Sequence, residues 1–162
     1  MNPPISYPRP ARPPATGGGV ALRLFTTLQL PAAAARMLAR HADNLHARTA
    51  ASTIDPEGMA PHLTWAFLGD VAEDHIPAVA AIFDAAMIDV PGPVECAVTG
   101  LSSPGDGTRI VADVDIDELE TLAAVRDRFL GAVAPYASLQ DVRPWLPHVQ
   151  LLRTRERRVV PS

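Results

Sequence analysis

Two short phrases of the chain carry side chains able to move protons. Pro61-His62-Leu63-Thr64 opens an apolar run that continues through Trp65-Ala66-Phe67-Leu68 to Gly69. Far downstream, Pro147-His148-Val149-Gln150 opens a second run, Leu151-Leu152-Arg153. In each phrase a proline precedes a histidine, and the next polar side chain comes two residues later. Alternate residues of a strand share a face, about 6.5–7 Å apart. Each phrase would therefore aim an imidazole and an uncharged hydrogen-bond donor into the same space. Opening a phosphodiester needs one group that takes a proton and one that gives it, and imidazole can do either. A hydroxyl or amide beside it can hold the non-bridging oxygens as charge develops. Two such phrases facing one cleft would suffice, and the layout requires no metal.

The elements that must position these phrases follow from periodicity and punctuation. Residues 21–30 alternate well enough to predict a strand, closed by Pro31, which suits the first turn of a helix. Ala32–Arg48 is alanine-rich without internal proline or glycine, and predicts a helix. Residues 49–61 hold Asp55-Pro56-Glu57-Gly58 and read as a loop. His62–Leu68 predicts a strand stopped by Gly69. Asp74–Asp89, with Ile76, Val79, Phe83 and Met87 on one face, predicts a second helix. Val94–Leu101 and Arg109–Ile116, joined by a Gly/Ser/Pro turn, predict a hairpin. Leu119–Val133 predicts a third helix. Pro135–Pro147 reads as a loop with room for a short strand, and His148–Arg153 as the last strand. The order is β-α-β-α-β-β-α-β, an α+β domain of mixed or antiparallel sheet. The two histidine strands can become neighbours only through a non-local pairing.

Composition sets the outer limits. With 162 residues, 48% of them hydrophobic and 20% charged, the chain suits one soluble domain with a real core. Residues 1–19 hold six prolines and a glycine run and are expected to form a disordered or polyproline-like tail. The domain proper is expected over 20–154, with a second tail at 155–162. No apolar run reaches the roughly 18–20 residues of a membrane span, and no signal-peptide stretch is evident. The lone Cys96 excludes an intrachain disulfide. These features point to the cytoplasm. All 14 basic residues are arginine, as a GC-rich genome would impose, yet the net charge is −4. A protein coating long nucleic acid would be basic, so a small anionic ligand in a locally basic cleft fits better.

Both phrases resemble the paired His-x-Thr/Ser motifs of the two-histidine phosphoesterase superfamily. The nearest branch is that of the RNA 2',3'-cyclic phosphodiesterases, also called 2'-5' RNA ligases. The opening strand Leu22-Arg23-Leu24-Phe25, the helix from Pro31 and the helix after Gly69 are similar to that branch as well, so the likeness spans roughly 21–153. It implies a bilobal α+β fold, mostly antiparallel sheets around a central cleft with helices on the outside. It also implies metal-independent, cofactor-free opening of 2',3'-cyclic phosphates of RNA ends or nucleotides, usually to a 2'-phosphate, or cleavage of related 2'-5'-linked oligonucleotides. His62 and His148 carry over as the acid/base pair, and Thr64 as a phosphate donor. Arg153 matches the arginine that often closes the second motif. Gln150 departs from the pattern, standing where threonine or serine is usual; its amide can still donate to phosphate. The expected partner is an RNA end or a small cyclic nucleotide or oligonucleotide. No membrane or protein partner is evident, and a monomer is expected.

Other readings stay open at this stage. One is a phosphodiesterase of the same fold acting on cyclic-oligonucleotide signals. Another is a non-catalytic nucleotide- or RNA-end-binding domain, suggested by Gln150. A metal-dependent hydrolase is disfavoured, because no carboxylate or third histidine stands at ligand spacing near either motif. His41 and His46, five residues apart, do not share a helix face, and with His75 receive no role. Trp65 should point away from His62 and Thr64 into a core. Trp145 and Tyr136 could stack on a nucleobase, or be ordinary surface aromatics. Arg23 and Arg109 are candidates for cleft charge by strand position alone. Cys96 is expected to be a small core residue.

Overall fold

The computed structural model describes residues 19–49, 53–54, 60–105, 107–139 and 144–154. The tails expected at 1–19 and 155–162 lie outside these residues, Gly19 excepted. The chain runs β1 (Ala21–Leu28), α1 (Ala32–Thr49), β2 (Thr53–Ile54), β3 (Leu63–Ala72), α2 (Ile76–Met87), β4 (Cys96–Ser102), β5 (Arg109–Ile116), α3 (Leu119–Val133) and β6 (His148–Thr154). The expected element order is found, with one addition. The segment 49–61, expected to be a loop, contains β2, which pairs with the far end of β6. A pair of residues held by a neighbouring edge leaves no periodic trace in sequence.

The strands form one antiparallel sheet in the order β1-β3-β6-β5-β4. Its two halves, β1–β3 and β6–β5–β4, meet through a single residue pair, Leu63 with Val149. Both side chains are buried in the same hydrophobic cluster. That cluster lies under the second half, where Leu38, Ala42 and Leu45 of α1 meet Ala112, Val149 and Leu151. The other cluster lies under the first half, where Val79 of α2 and Val125, Phe129 and Val133 of α3 meet Trp65, Leu68 and Val71. The helices are exchanged: α1 follows a first-half strand yet covers β6, and α3 follows a second-half strand yet covers β3. Each half therefore supplies the cover of the other. The opposite face of the sheet carries the polar residues of both histidine phrases.

β3 does not alternate simply. Leu24 pairs with Gly69 but Phe25 with Phe67, and Thr26 pairs with Ala66 but Thr27 with Thr64. The extra residues are bulges, each of which resets the face. Leu63, Trp65, Ala66, Leu68 and Val71 are buried, while Thr64, Phe67 and Asp70 are not. This explains an apolar run too dense for period two. At the first bulge the Thr26 hydroxyl accepts from the Ala66 N–H at 3.1 Å, filling the gap in the ladder. Trp65 packs inward as expected, stacked on Phe129 at 5.6 Å with its indole N–H on the Leu122 carbonyl at 3.3 Å. The buried Arg126 donates through Nε to the Trp65 carbonyl at 2.7 Å.

Gly69 does not stop the strand. It forms the second bulge with φ of 73°, and β3 continues to Ala72. A Cβ at Gly69 would collide with the Ser138 carbonyl. There the chain after α3 comes back: Ser138 N–H donates to the Asp70 carbonyl at 3.0 Å, Asp70 N–H to the Ser138 hydroxyl at 2.8 Å, and Ala137 pairs with Val71. Glycine is thus required both by φ and by close approach. Cys96 is another correction. It is exposed, because β4 is the outermost strand and has few neighbours to bury it. Among the described residues no helix is long and apolar enough to cross a membrane.

Two alanine substitutions should separate these effects. Gly69→Ala should destabilise by at least the roughly 1–2 kcal/mol of the left-handed backbone, with the collision adding to it. Gly131→Ala, at an exposed helical position with open space around the new Cβ, should stabilise by roughly 0.5–1 kcal/mol. Urea unfolding midpoints of the two variants should move in opposite directions.

Candidate active site

His62 stands just before β3 and His148 opens β6. Leu63 opposite Val149 fixes their relation. In antiparallel register, one step either side sets His62 opposite Gln150 and Thr64 opposite His148. All four side chains share the face that Leu63 and Val149 turn away from, and all four are half-buried. The imidazoles occupy one diagonal and the two uncharged donors the other, a diagonal being about 7–8 Å between Cα atoms. The hydroxyl of Thr64 and the amide of Gln150 have no hydrogen-bond partner among the described residues. The four groups therefore stand on one face of the sheet beside the junction, two ionisable and two neutral.

The two histidines are held in the same way. His62 Nδ1 lies 3.0 Å from the Ala60 carbonyl and His148 Nδ1 2.8 Å from the Leu146 carbonyl. In each case the acceptor is two residues back and the intervening residue is proline, whose fixed φ aims that carbonyl at the ring. A carbonyl can only accept, so each Nδ1 carries hydrogen and each Nε2 is left for the cleft. A neutral ring then presents a lone pair there, and a protonated ring presents an N–H. The repeated Pro-His, visible in the sequence, thus marks a tautomer lock.

Trp145 ties the two phrases together. Its indole N–H donates to the Thr64 carbonyl at 3.0 Å, and its ring packs against both hydrophobic clusters. It is therefore not the ordinary surface aromatic that its place in a loop suggested. Tyr136 likewise meets His75 edge-on at 5.4 Å.

Arg153 lies on the same face as Gln150, three residues further along β6, exposed and in register with Arg109. These two arginines make the far end of the face basic without touching either histidine. Arg23 sits at the other side, its guanidinium 5.2 Å over the Phe67 ring.

Two features escape the sequence. Phe25 stacks on His62 at 5.6 Å and on Phe67 at 6.3 Å, building an aromatic wall from β1 beside the first imidazole. On the other side Asp113 of β5 is the direct partner of His148, and its carboxylate accepts from the Ser102 hydroxyl at 2.7 Å. β5 reads Arg-Ile-Val-Ala-Asp-Val-Asp-Ile, so nothing in the strand sets Asp113 apart from Asp115. For Phe25 there was no signal either, since its neighbour is decided by pairing. Among the described residues no three His, Cys, Asp or Glu side chains are grouped to hold a metal ion.

The fold is an antiparallel sheet split into two halves, with a His-x-donor phrase from each half beside the junction. Solved structures share this fold. A protein of Thermus thermophilus, TT0787, is 24% identical, with 87% of this chain and 80% of that chain covered and a TM-score of 0.57. Escherichia coli LigT, solved with 3'-AMP, is 22% identical over 88% of this chain and 78% of its own, at 0.56. A structure described as a phosphoesterase is 21% identical over 88% and 79%, at 0.59. No family model and no curated relative matches the sequence. The fold expected from the two phrases is the fold found.

The tautomer lock is directly measurable. At a pH where both rings are neutral, nitrogen-15 shifts of His62 and His148 should report hydrogen on Nδ1, and those of exposed His41 should not. Trp145→Phe removes the donor and part of the ring that packs against both clusters, and should cost at least about 1 kcal/mol in stability. Its loss of ligand affinity, read by calorimetry, should exceed that of an equally destabilising variant remote from the cleft.

Proposed function

We propose that this chain is a metal-independent phosphodiesterase that opens 2',3'-cyclic phosphates of RNA ends or nucleotides. Its catalytic groups are His62 and His148, with Thr64 and Gln150 holding the phosphate. Arg153 adds positive charge at the rim. The observation that carries the proposal is the matched pair of imidazoles, each anchored through Nδ1 to a carbonyl two residues back and each next to the residue pair that joins the two half-sheets. The likeness of fold to LigT, a structure of which holds 3'-AMP, supports a nucleotide at that junction.

In the reaction, phosphate lies between the imidazoles. The neutral ring takes a proton from water through Nε2 as the water oxygen bonds to phosphorus. The bond from phosphorus to one ribose oxygen breaks, and the protonated ring supplies that oxygen with its proton. Opening at the 3' side leaves a 2'-phosphate. Thr64 O–H and the Gln150 amide N–H donate to the non-bridging oxygens, where negative charge grows. After one turnover the two rings have exchanged protonation states, and proton exchange with solvent resets them. Water attack and leaving-group protonation each need positioned proton transfer, worth about 10²–10⁴-fold apiece.

Purified protein should hydrolyse a 2',3'-cyclic nucleotide in the presence of EDTA. His62→Ala and His148→Ala should each lower kcat by about 10²–10⁴-fold, and the rate–pH profile should be bell-shaped because one ring must be neutral and the other protonated. Activity lost to chelator and restored by a divalent cation would overturn the metal-independent mechanism. Gln150 favours a second reading, a domain that binds nucleotide ends without turning them over. Binding of a cyclic nucleotide with no turnover, and turnover gained in Gln150→Thr, would select it.

A further inference from the structure

The cleft face does not end at His148. One strand further out, about 4.8 Å, Asp113 stands directly opposite His148 on β5. One carboxylate oxygen is fixed by the Ser102 hydroxyl at 2.7 Å. The other has no partner among the described residues. Gly100 of β4 lies opposite Asp113 on the far side. Space is open where its Cβ would be, so the carboxylate is approachable from that edge. Between Ser102 and Gln150 the face is floored by Val111, which is 1% exposed and belongs to neither hydrophobic cluster.

A carboxylate can only accept hydrogen bonds. A group settling there must be a hydrogen-bond donor. In an RNA end closed as a 2',3'-cyclic phosphate the terminal ribose has no free hydroxyl, so the nearest sugar donor is the 2'-hydroxyl of the neighbouring ribose. A carboxylate accepts a ribose 2'-hydroxyl in dinucleotide-binding folds, and that hydroxyl is the group that distinguishes RNA from DNA. We infer that Asp113, held by Ser102, is a specificity-determining residue that accepts the 2'-hydroxyl of a second nucleotide beside the scissile phosphate. The preferred substrate is therefore an RNA end at least two nucleotides long. The inference rests on the reading of the histidine pair as a phosphate site.

The test uses two dinucleotides ending in a 2',3'-cyclic phosphate, identical except that the 5' nucleoside is ribo in one and 2'-deoxy in the other. Affinity is measured by calorimetry and kcat/KM by product formation. The unmodified protein should favour the ribo form about tenfold or more in both, the usual scale of a hydrogen bond to a charged group. In Asp113→Ala the ratio should fall to near one. Gly100→Leu keeps the carboxylate but fills the approach, and should flatten the ratio too. Equal affinity for both dinucleotides in the unmodified protein would overturn the subsite. So would a ratio that survives in Asp113→Ala, or a loss there that is equal for both forms. A ribo preference in affinity without turnover would leave the subsite standing and sink the hydrolase reading. Turnover without preference would do the reverse.

Discussion

Leu63 opposite Val149 is the contact on which the site depends. It is the only place where β3 and β6 pair among the described residues, and the two histidines are the residues immediately before its members. Shifting this register by one residue would turn one phrase's polar side chains into the core and bring its apolar ones to the cleft. The pair itself is weak, since a strand pair of this length contributes on the order of 1 kcal/mol in hydrogen bonds. Its strength comes from burial. Leu63 and Val149 are 2% and 0% exposed, and full burial of such side chains is worth about 1.5–3 kcal/mol each.

Exchange of helices reinforces the junction. Because α1 covers the second half and α3 the first, neither half can bury its apolar face without the other. Trp145 adds a direct tie, its donor on the Thr64 carbonyl and its ring against both clusters. The cleft is thus a place where the sheet narrows to one residue pair while the two clusters beneath it are bridged by Leu28, Val90 and Trp145. Rigid support under an open polar face is what a site needs if four side chains are to converge on one phosphate.

The site is also asymmetric. His62 is flanked by the aromatic wall of Phe25 and Phe67. His148 is flanked by the carboxylate of Asp113. One side suits the flat face of a base, the other a sugar hydroxyl. The two phrases read almost alike in sequence, and the difference between their neighbours comes from β1 on one side and β5 on the other. The basic groups stand apart at the ends of the face, Arg23 by β1 and Arg109 with Arg153 across β5 and β6.

Local chemistry wrote much of this into the chain. Alanine and apolar spacing set the helices, the Gly/Ser/Pro turn set the β4–β5 hairpin, and His-x-donor spacing put each imidazole beside a donor. Pro before His stood in plain view twice, although its meaning as a carbonyl-to-Nδ1 lock needed coordinates. Where expectation failed, the cause was distant. Gly69 reads as a terminator because glycine usually ends strands, and it continues one here because Ser138 arrives against it. Cys96 reads as core because its strand is apolar, and it is exposed because nothing lies beyond β4. Sequence by itself determined the type of each element and which residues of each phrase share a face, since those depend on backbone periodicity within a few residues. Only the tertiary structure decided which faces meet. Bringing His62 and His148 to one junction, Phe25 against His62 and Asp113 opposite His148 depends on burying two half-sheets under exchanged helices, a condition no local stretch contains.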